Sequence, residues 1–157
     1  LSKSNIALFK KYGVLSEREL AAREEIYFDQ YFKTINIEAE TTERIARTIL
    51  MPACFEFINH LSTNARELNE LGMQSTAVSR VLGEVLEHTD VMSAAIEQLR
   101  MVNKELGGST VHEKAHHMYE HVIPAMNAVR AACDRLERSI PDRLWTLPGY
   151  REMLWIK

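Results

Sequence analysis

The sequence predicts an all-α protein: an antiparallel bundle of three long helices, with a short N-terminal helix and an aromatic C-terminal tail. Three observations predict it. Apolar residues recur at alternating steps of four and three over long stretches, the signature of a helical stripe facing partner helices. Only six glycines and four prolines interrupt 157 residues, too few turn signals for a sheet protein. Two Ser/Thr-x-x-Glu capping boxes, Ser16…Glu19 and Thr110…Glu113, stand where helices should begin.

The first long helix is expected over about 16–71. Ser16 can accept from the amide of Glu19, while the Glu19 carboxylate reaches back to the Ser16 amide. Beyond this start, Phe28, Phe32, Ile35, Ala39, Thr42, Ala46, Ile49 and Ala53 form one seam. Phe57, Leu61, Leu68 and Leu71 continue it to Gly72, a residue suited to the left-handed position after a helix. Pro52 lies inside this run, and a helical proline removes one hydrogen bond and clashes with the carbonyl four residues back, that of Thr48. Since the stripe continues past it, one kinked helix is expected rather than two helices and a loop. At 1.5 Å per residue such a helix would be about 80 Å long, more than a compact domain of this size needs.

A second helix, about 75–106, is marked by Val78, Leu82, Val85, Met92, Ile96, Leu99 and Leu106. Thr89 and Asn103 take two of its seam positions, and Gly83 lowers its helix propensity. After Gly107 and Gly108 the third helix, about 110–139, carries Ala115, Met118, Val122, Met126, Val129, Cys133 and Leu136, with a kink expected at Pro124. Short links between three such rods give the up-down-up arrangement. The whole chain, 1–157, reads as one helical domain. In the tail, 141–157, two tryptophans and a tyrosine crowd together, suggesting a turn and then one helical turn from Tyr150 to Trp155. Aromatics this dense anchor a tail, either on its own bundle or on another domain or subunit.

Composition narrows the function. A net charge of −3 gives no electrostatic reason to expect nucleic acid or an anionic membrane. No apolar run approaches the roughly 20 residues of a spanning helix, and the first residues lack a signal-peptide pattern. Cys54 and Cys133 stand apart within apolar helical patterns, which suggests two reduced core thiols and a cytoplasmic protein. The chain starts at Leu1 rather than methionine, in keeping with a fragment of something longer.

The stretch VHEKAHHMYEHV, 111–122, raises a metal hypothesis. His112 and His116 stand four apart, as do His117 and His121, and Glu113…His116 reads E-x-x-H. A di-metal bundle site, however, needs inward carboxylates from several helices and a second E-x-x-H, and the intervals Glu56…His60 and Glu84…His88 are wrong for one. On a wheel of about 100° per residue, the stripe centres near Ala115 and Cys133. His117 and His121 then face away from the core, His116 lies on the flank, and His112 approaches the buried side. These imidazoles are therefore expected to face solvent, and no metal, catalytic or cofactor-binding residue is assigned. On the same wheel His117→Ala is expected to be nearly neutral, and Ile49→Asp to unfold the bundle by burying an unpaired charge.

Two further features bear on function. The run Gly107-Gly108-Ser109-Thr110 before a helix start can in principle hold an anion, but it lacks the lysine and spacing of a P-loop, and a C-cap joined to an N-cap explains it. Ile26, Ile37 and Phe55 lie off the seam of the first helix, making it apolar on a second side. Either the tail and the residues before Ser16 cover that strip, or it faces a part of the parent protein outside this chain.

Residues 5–53, NIALFKKYGVLSERELAAREEIYFDQYFKTINIEAETTERIARTILMPA, resemble the C-terminal region of type III glutamine synthetase. So do VIPAMNAVRAACDRLE, 122–137, and the ending Trp145…Pro148…Tyr150…Leu154. KTINIEAET and VIPAM are the most specific pieces, whereas 73–108 match only in helical character. Departures fall at Glu24, where the family tends to have a bulkier residue, and at Leu144 and Thr146, which replace an aromatic and a proline. The resemblance implies a parent enzyme that condenses glutamate with ammonia through a γ-glutamyl phosphate, using ATP and a divalent metal, Mg or Mn. Its active site would be built from a β-rich catalytic domain and the neighbouring subunit of a ring oligomer. None of the family's ATP, glutamate or metal motifs lies in these 157 residues. This region would then be a non-catalytic helical extension whose partners are its own catalytic domain and neighbouring subunits. A free-standing helical interaction module and a metal-binding bundle using the His112–His121 cluster are the alternatives.

Overall fold

A computed structural model of the chain describes residues 1–148 and 150–154. Among the described residues it is entirely helical, without strands. Helix α1, Lys3–Lys11, is short. Helix α2, Glu17–Ile45, runs through a π-helical turn, Ala46–Leu50, directly into α3, Met51–Glu70. Helix α4 spans Thr76–Glu105. Helix α5, Val111–His117, passes through a second π turn, Met118–Val122, into α6, Ile123–Glu137, and α7 is the single turn Tyr150–Met153.

The helix starts are built as the sequence suggests. Ser16 accepts from the amide of Glu19 at 3.3 Å and its own amide donates to the Glu19 carboxylate at 2.7 Å, a closed capping box. These bonds hold the Glu19 carboxyl below its usual range, because only the ionised form accepts all of them. After α3, Gly72 takes a φ of +72° and lets the Met73 amide reach back to the Leu68 carbonyl at 2.9 Å.

Both prolines sit one residue inside the helix that follows a π turn. The amides of Met51 and Ile123 bond the carbonyls of Ala46 and Met118, five residues back instead of four. The residues whose carbonyls the proline rings would meet, Thr48 and Glu120, both lie within these widened turns. The Thr48 hydroxyl also donates to the Arg44 carbonyl at 2.7 Å, satisfying an acceptor where the ladder is disturbed.

The π turns shift the buried face. A wide turn takes in an extra residue, so the stripe after it no longer follows a constant helical step. Ile49, placed on the seam by the sequence, is 36% exposed, whereas Leu50 is 4% exposed and belongs to the core. In the third rod, Ala125 and Ala132 are buried, and Met126 and Cys133 only flank the core. The expectation that Ile49→Asp buries a charge is therefore corrected: that site opens to solvent, and Leu50 is the core position.

One continuous core joins the rods. Helix α4 packs against α3 and α6, and α2 against α5. Met92, Leu99, Met118 and Leu136 are its largest fully buried side chains, with Cys54, Val85, Val122 and Val129. Thr89, a polar seam residue of α4, is buried at no cost in hydrogen bonding, since its hydroxyl donates to the Val85 carbonyl at 2.7 Å. The start of the tail returns to this core: Ile140, Leu144 and Trp145 are all buried in it. Met153 and Leu154 are exposed, while Trp155, the expected end of the last helical turn, lies outside the described residues.

Candidate functional site

The sequence singles out the histidine-rich helix and the glycine loop before it, and the structure brings both to the α4–α5 junction. Helix α4 ends at Leu106, which adopts a left-handed φ of +53°, followed by Gly107 at +73°. The last four carbonyls of a helix have no amide partner within it, and Val102 is the first of these four in α4. His117, reaching over from α5, donates from Nε2 to the Val102 carbonyl at 2.7 Å.

His117 is thus half-buried and bonded between two helices, contrary to the expected solvent face. The reason is tertiary: α5 packs the ring under the turn that ends α4. A Cβ on Gly107 would lie 2.0 Å from the Cβ of His117, so the turn requires glycine for space as well as for its positive φ. One residue along from Val102, the Oδ1 of Asn103 is buried without a hydrogen-bond partner among the described residues, the penalty of a polar side chain at a seam position.

The other imidazoles do not converge. His112, expected near the buried side, is exposed, with its ring centroid 3.9 Å from that of Phe28 on α2. His116 is exposed and faces Glu120 at 3.1 Å. His121 is exposed, its ring centroid 5.0 Å from that of His117. Among the described residues no three His, Cys, Asp or Glu side chains are grouped as metal ligands.

The loop 107–110 already holds an anion, one of its own. The Glu113 carboxylate accepts from the amides of Ser109 and Thr110, both at 3.0 Å, and from the Thr110 hydroxyl at 3.0 Å. In return the Thr110 hydroxyl accepts from the Glu113 amide at 3.2 Å, closing the second capping box. The amides and hydroxyl of Thr110, followed by those of Ser109, hold the Glu113 carboxyl below its usual range. A Cβ on Gly108 would strike Glu113 at 2.7 Å, which fixes how closely the loop wraps the carboxylate. With the amides taken, the loop offers a phosphate nothing further.

The thiols are shielded. Cys54 is fully buried, and burial pushes its pKa up, partly offset by a hydrogen bond with Thr89. Cys133 stands 3.6 Å from the Met92 sulfur, and burial, with smaller effects from Cys54 and Asp134, pushes its thiol up to about 11. A nucleophile needs the thiolate, so these are packing residues.

Sequence reasoning missed one feature, a broad apolar groove between α1, α2 and α5, lined by Phe9, Tyr27, Phe28, Tyr31 and Tyr119 among others. Its signal was the tyrosine pair Tyr27 and Tyr31, four apart on α2, which the stripe analysis left unassigned. The second apolar strip also persists: Ile26, Ile37 and Phe55 are each more than half exposed. Among the described residues, neither the tail nor α1 buries it.

Comparisons with known proteins agree with this picture. The family described as the glutamine synthetase C-terminal domain matches residues 1–69. A type-3 glutamine synthetase of Dictyostelium discoideum is 31% identical over 163 residues, covering 99% of this chain and 22% of that protein. Glutamine synthetases of Butyrivibrio fibrisolvens and Bacteroides fragilis are 29% and 25% identical, covering 99% and 92% of this chain. The chain spans only 21–23% of the length of these curated relatives. No solved structure matches it significantly.

Proposed function

We propose that this chain, whose residues 1–69 match the family described as the glutamine synthetase C-terminal domain, is the non-catalytic helical portion of a longer glutamate–ammonia ligase. The observation that carries the reading is similarity along 99% of this chain to only 22% of a type-3 glutamine synthetase. The remaining length is where a catalytic domain would lie. Its ATP and divalent metal would bind there too: the loop 107–110 is closed by Glu113, and the described residues group no ligands for a metal. No chemical step is assigned to these residues.

The role proposed for this portion is packing on its own catalytic domain and on neighbouring subunits of a cytoplasmic homo-oligomer. Supporting it is the exposed strip of Ile26, Ile37 and Phe55 on a helix already packed on its other side. No described helix is long and apolar enough to cross a membrane. As architecture, we read an antiparallel three-helix bundle, with rods one and three bent near Pro52 and Pro124. Contacts in opposite residue order support the pairing: Arg47 with Glu97 and Cys54 with Thr89 for rods one and two, Val102 with His117 and Met92 with Cys133 for rods two and three.

A truncation tests the function. The full-length protein should make glutamine from glutamate, ammonia and ATP, and removing these 157 residues should change its oligomeric state by light scattering. A truncated protein that assembles and turns over like the intact one would remove the assembly role.

A further inference from the structure

We propose that α2 pairs antiparallel with the α2 of a second copy of this chain, along the exposed face that carries Ile26 and Ile37. The pairing deepens the assembly role proposed above, and rests on it in taking another subunit as the partner. Helix α2 has two seams. One is buried and includes Ile35 and Ala39. The other runs from Glu19 to Arg44 at alternating steps of four and three, the heptad rhythm of helices that pack side by side. At about 100° per residue, every position on it falls within roughly 60° of Ile26, on the side away from the core. All of these positions are exposed, Ile26 by 55% and Ile37 by 62%. Beyond the π turn Phe55 is off this face.

A second copy is indicated because the face complements itself. A twofold axis sets each residue opposite its mirror position about one centre. With that centre between Tyr31 and Phe32, Ile26 meets Ile37, Arg23 meets Glu40, and Glu19 meets Arg44. Each of these layers occurs twice in the pair, apolar on apolar and cation on anion. Gln30 meets Lys33 near the axis, where Asp29 of the same helix already neutralises Lys33 at 2.6 Å. Other registers fail. Sliding one copy by a heptad sets Arg23 against Lys33, or in the other direction Ile26 against Arg44 and Lys33 against Ile37. A parallel pairing sets Arg23 against Arg23 and Lys33 against Lys33, and like charges face to face are strongly unfavourable. Shape agrees with charge. A hollow of about 500 Å³ lies beside Ile26, lined by Leu15, Ala22, Tyr27 and Gln30 among others. In the matched register Ile37 of the second copy enters it as a knob enters a hole.

The test is disulfide trapping in the full-length protein carrying Ile26→Cys and Ile37→Cys together. Both sites are exposed, so the fold tolerates the changes. Within one helix the two positions stand about 16 Å apart, beyond the roughly 7 Å that a disulfide spans, so a bond between 26 and 37 must join two copies. After mild oxidation with copper phenanthroline, a non-reducing gel should show a covalent dimer. Mass spectrometry of the digest should place its linkage between positions 26 and 37. Adding Arg23→Glu should largely abolish the dimer, and adding Glu40→Arg to that variant should restore it. Linkages of 26 to 26 and 37 to 37, no disulfide between copies, or a yield that ignores the two charge changes would each overturn the pairing. The truncation described above is read separately. If it alters assembly while no 26–37 linkage forms, the pairing fails and the assembly role stands. If the linkage forms and responds to the charge changes while truncation leaves assembly intact, the pairing stands and the assembly role falls.

Discussion

The His117 imidazole donates from Nε2 to the Val102 carbonyl at 2.7 Å, so a residue of one rod terminates the helix of another. That bond gives the histidine-rich segment a structural role. Removing it leaves a carbonyl without a partner and a gap beneath Gly107. His117→Ala should cost about 1–3 kcal/mol in thermal or denaturant unfolding, while His121→Ala at an exposed site should change stability by less than about 0.5 kcal/mol. Equal effects would mean that the bond contributes nothing.

The glycines separate by environment. Gly83 lies inside α4 with nothing within 4 Å of an added Cβ, so Gly83→Ala should stabilise the chain by about 0.5–1 kcal/mol. Gly107→Ala should do the opposite, by about 1–3 kcal/mol, because it combines a positive φ with a collision against His117. Urea midpoints of the two variants, moving in opposite directions, are the readout.

The π turn before Pro52 makes a sharp claim about neighbours. Leu50→Ala should destabilise by about 2–4 kcal/mol by opening a core cavity, and Ile49→Ala by less than about 1 kcal/mol. A regular α-helix through this segment would reverse or equalise the two.

Cys133 gives a pH dependence. Its folded pKa, about 11, is raised from 9.0, so the folded state holds its proton more tightly than the unfolded state. The sign follows: its contribution to stability is intact below pH 9.0 and is lost as pH rises towards about 11. Cys133→Ser should flatten the decline in unfolding free energy across that window, and the native thiol should react with a disulfide reagent far more slowly than after denaturation.

The all-helical class, the two capping boxes and the turn at Gly72 were legible in the sequence because each is a local device, decided within one or two turns of chain. Burial along α4 was legible too, since Val85, Met92, Ile96 and Leu99 sit on an uninterrupted helix whose period is constant. Positions near the π turns were not. A wheel assumes one rotation per residue, and proline announces a disturbance without saying how the ladder absorbs it, so burial passed from Ile49 to Leu50 unseen. His117 was misplaced for a different reason: its partner is a carbonyl left open fifteen residues earlier by the end of α4, a tertiary fact invisible to the periodicity of α5. The closed anion loop was half legible, because Glu113 was recognised as a cap while the extra Ser109 amide it takes was not.

The division of labour between this helical portion and a catalytic domain is tested most directly by giving the 157-residue chain, alone, glutamate, ammonia, ATP and Mg or Mn, and measuring glutamine and phosphate released. Neither product should rise above the level of a protein-free control, with full-length protein active in the same buffer. ATP-dependent glutamine formation by the isolated chain would contradict it.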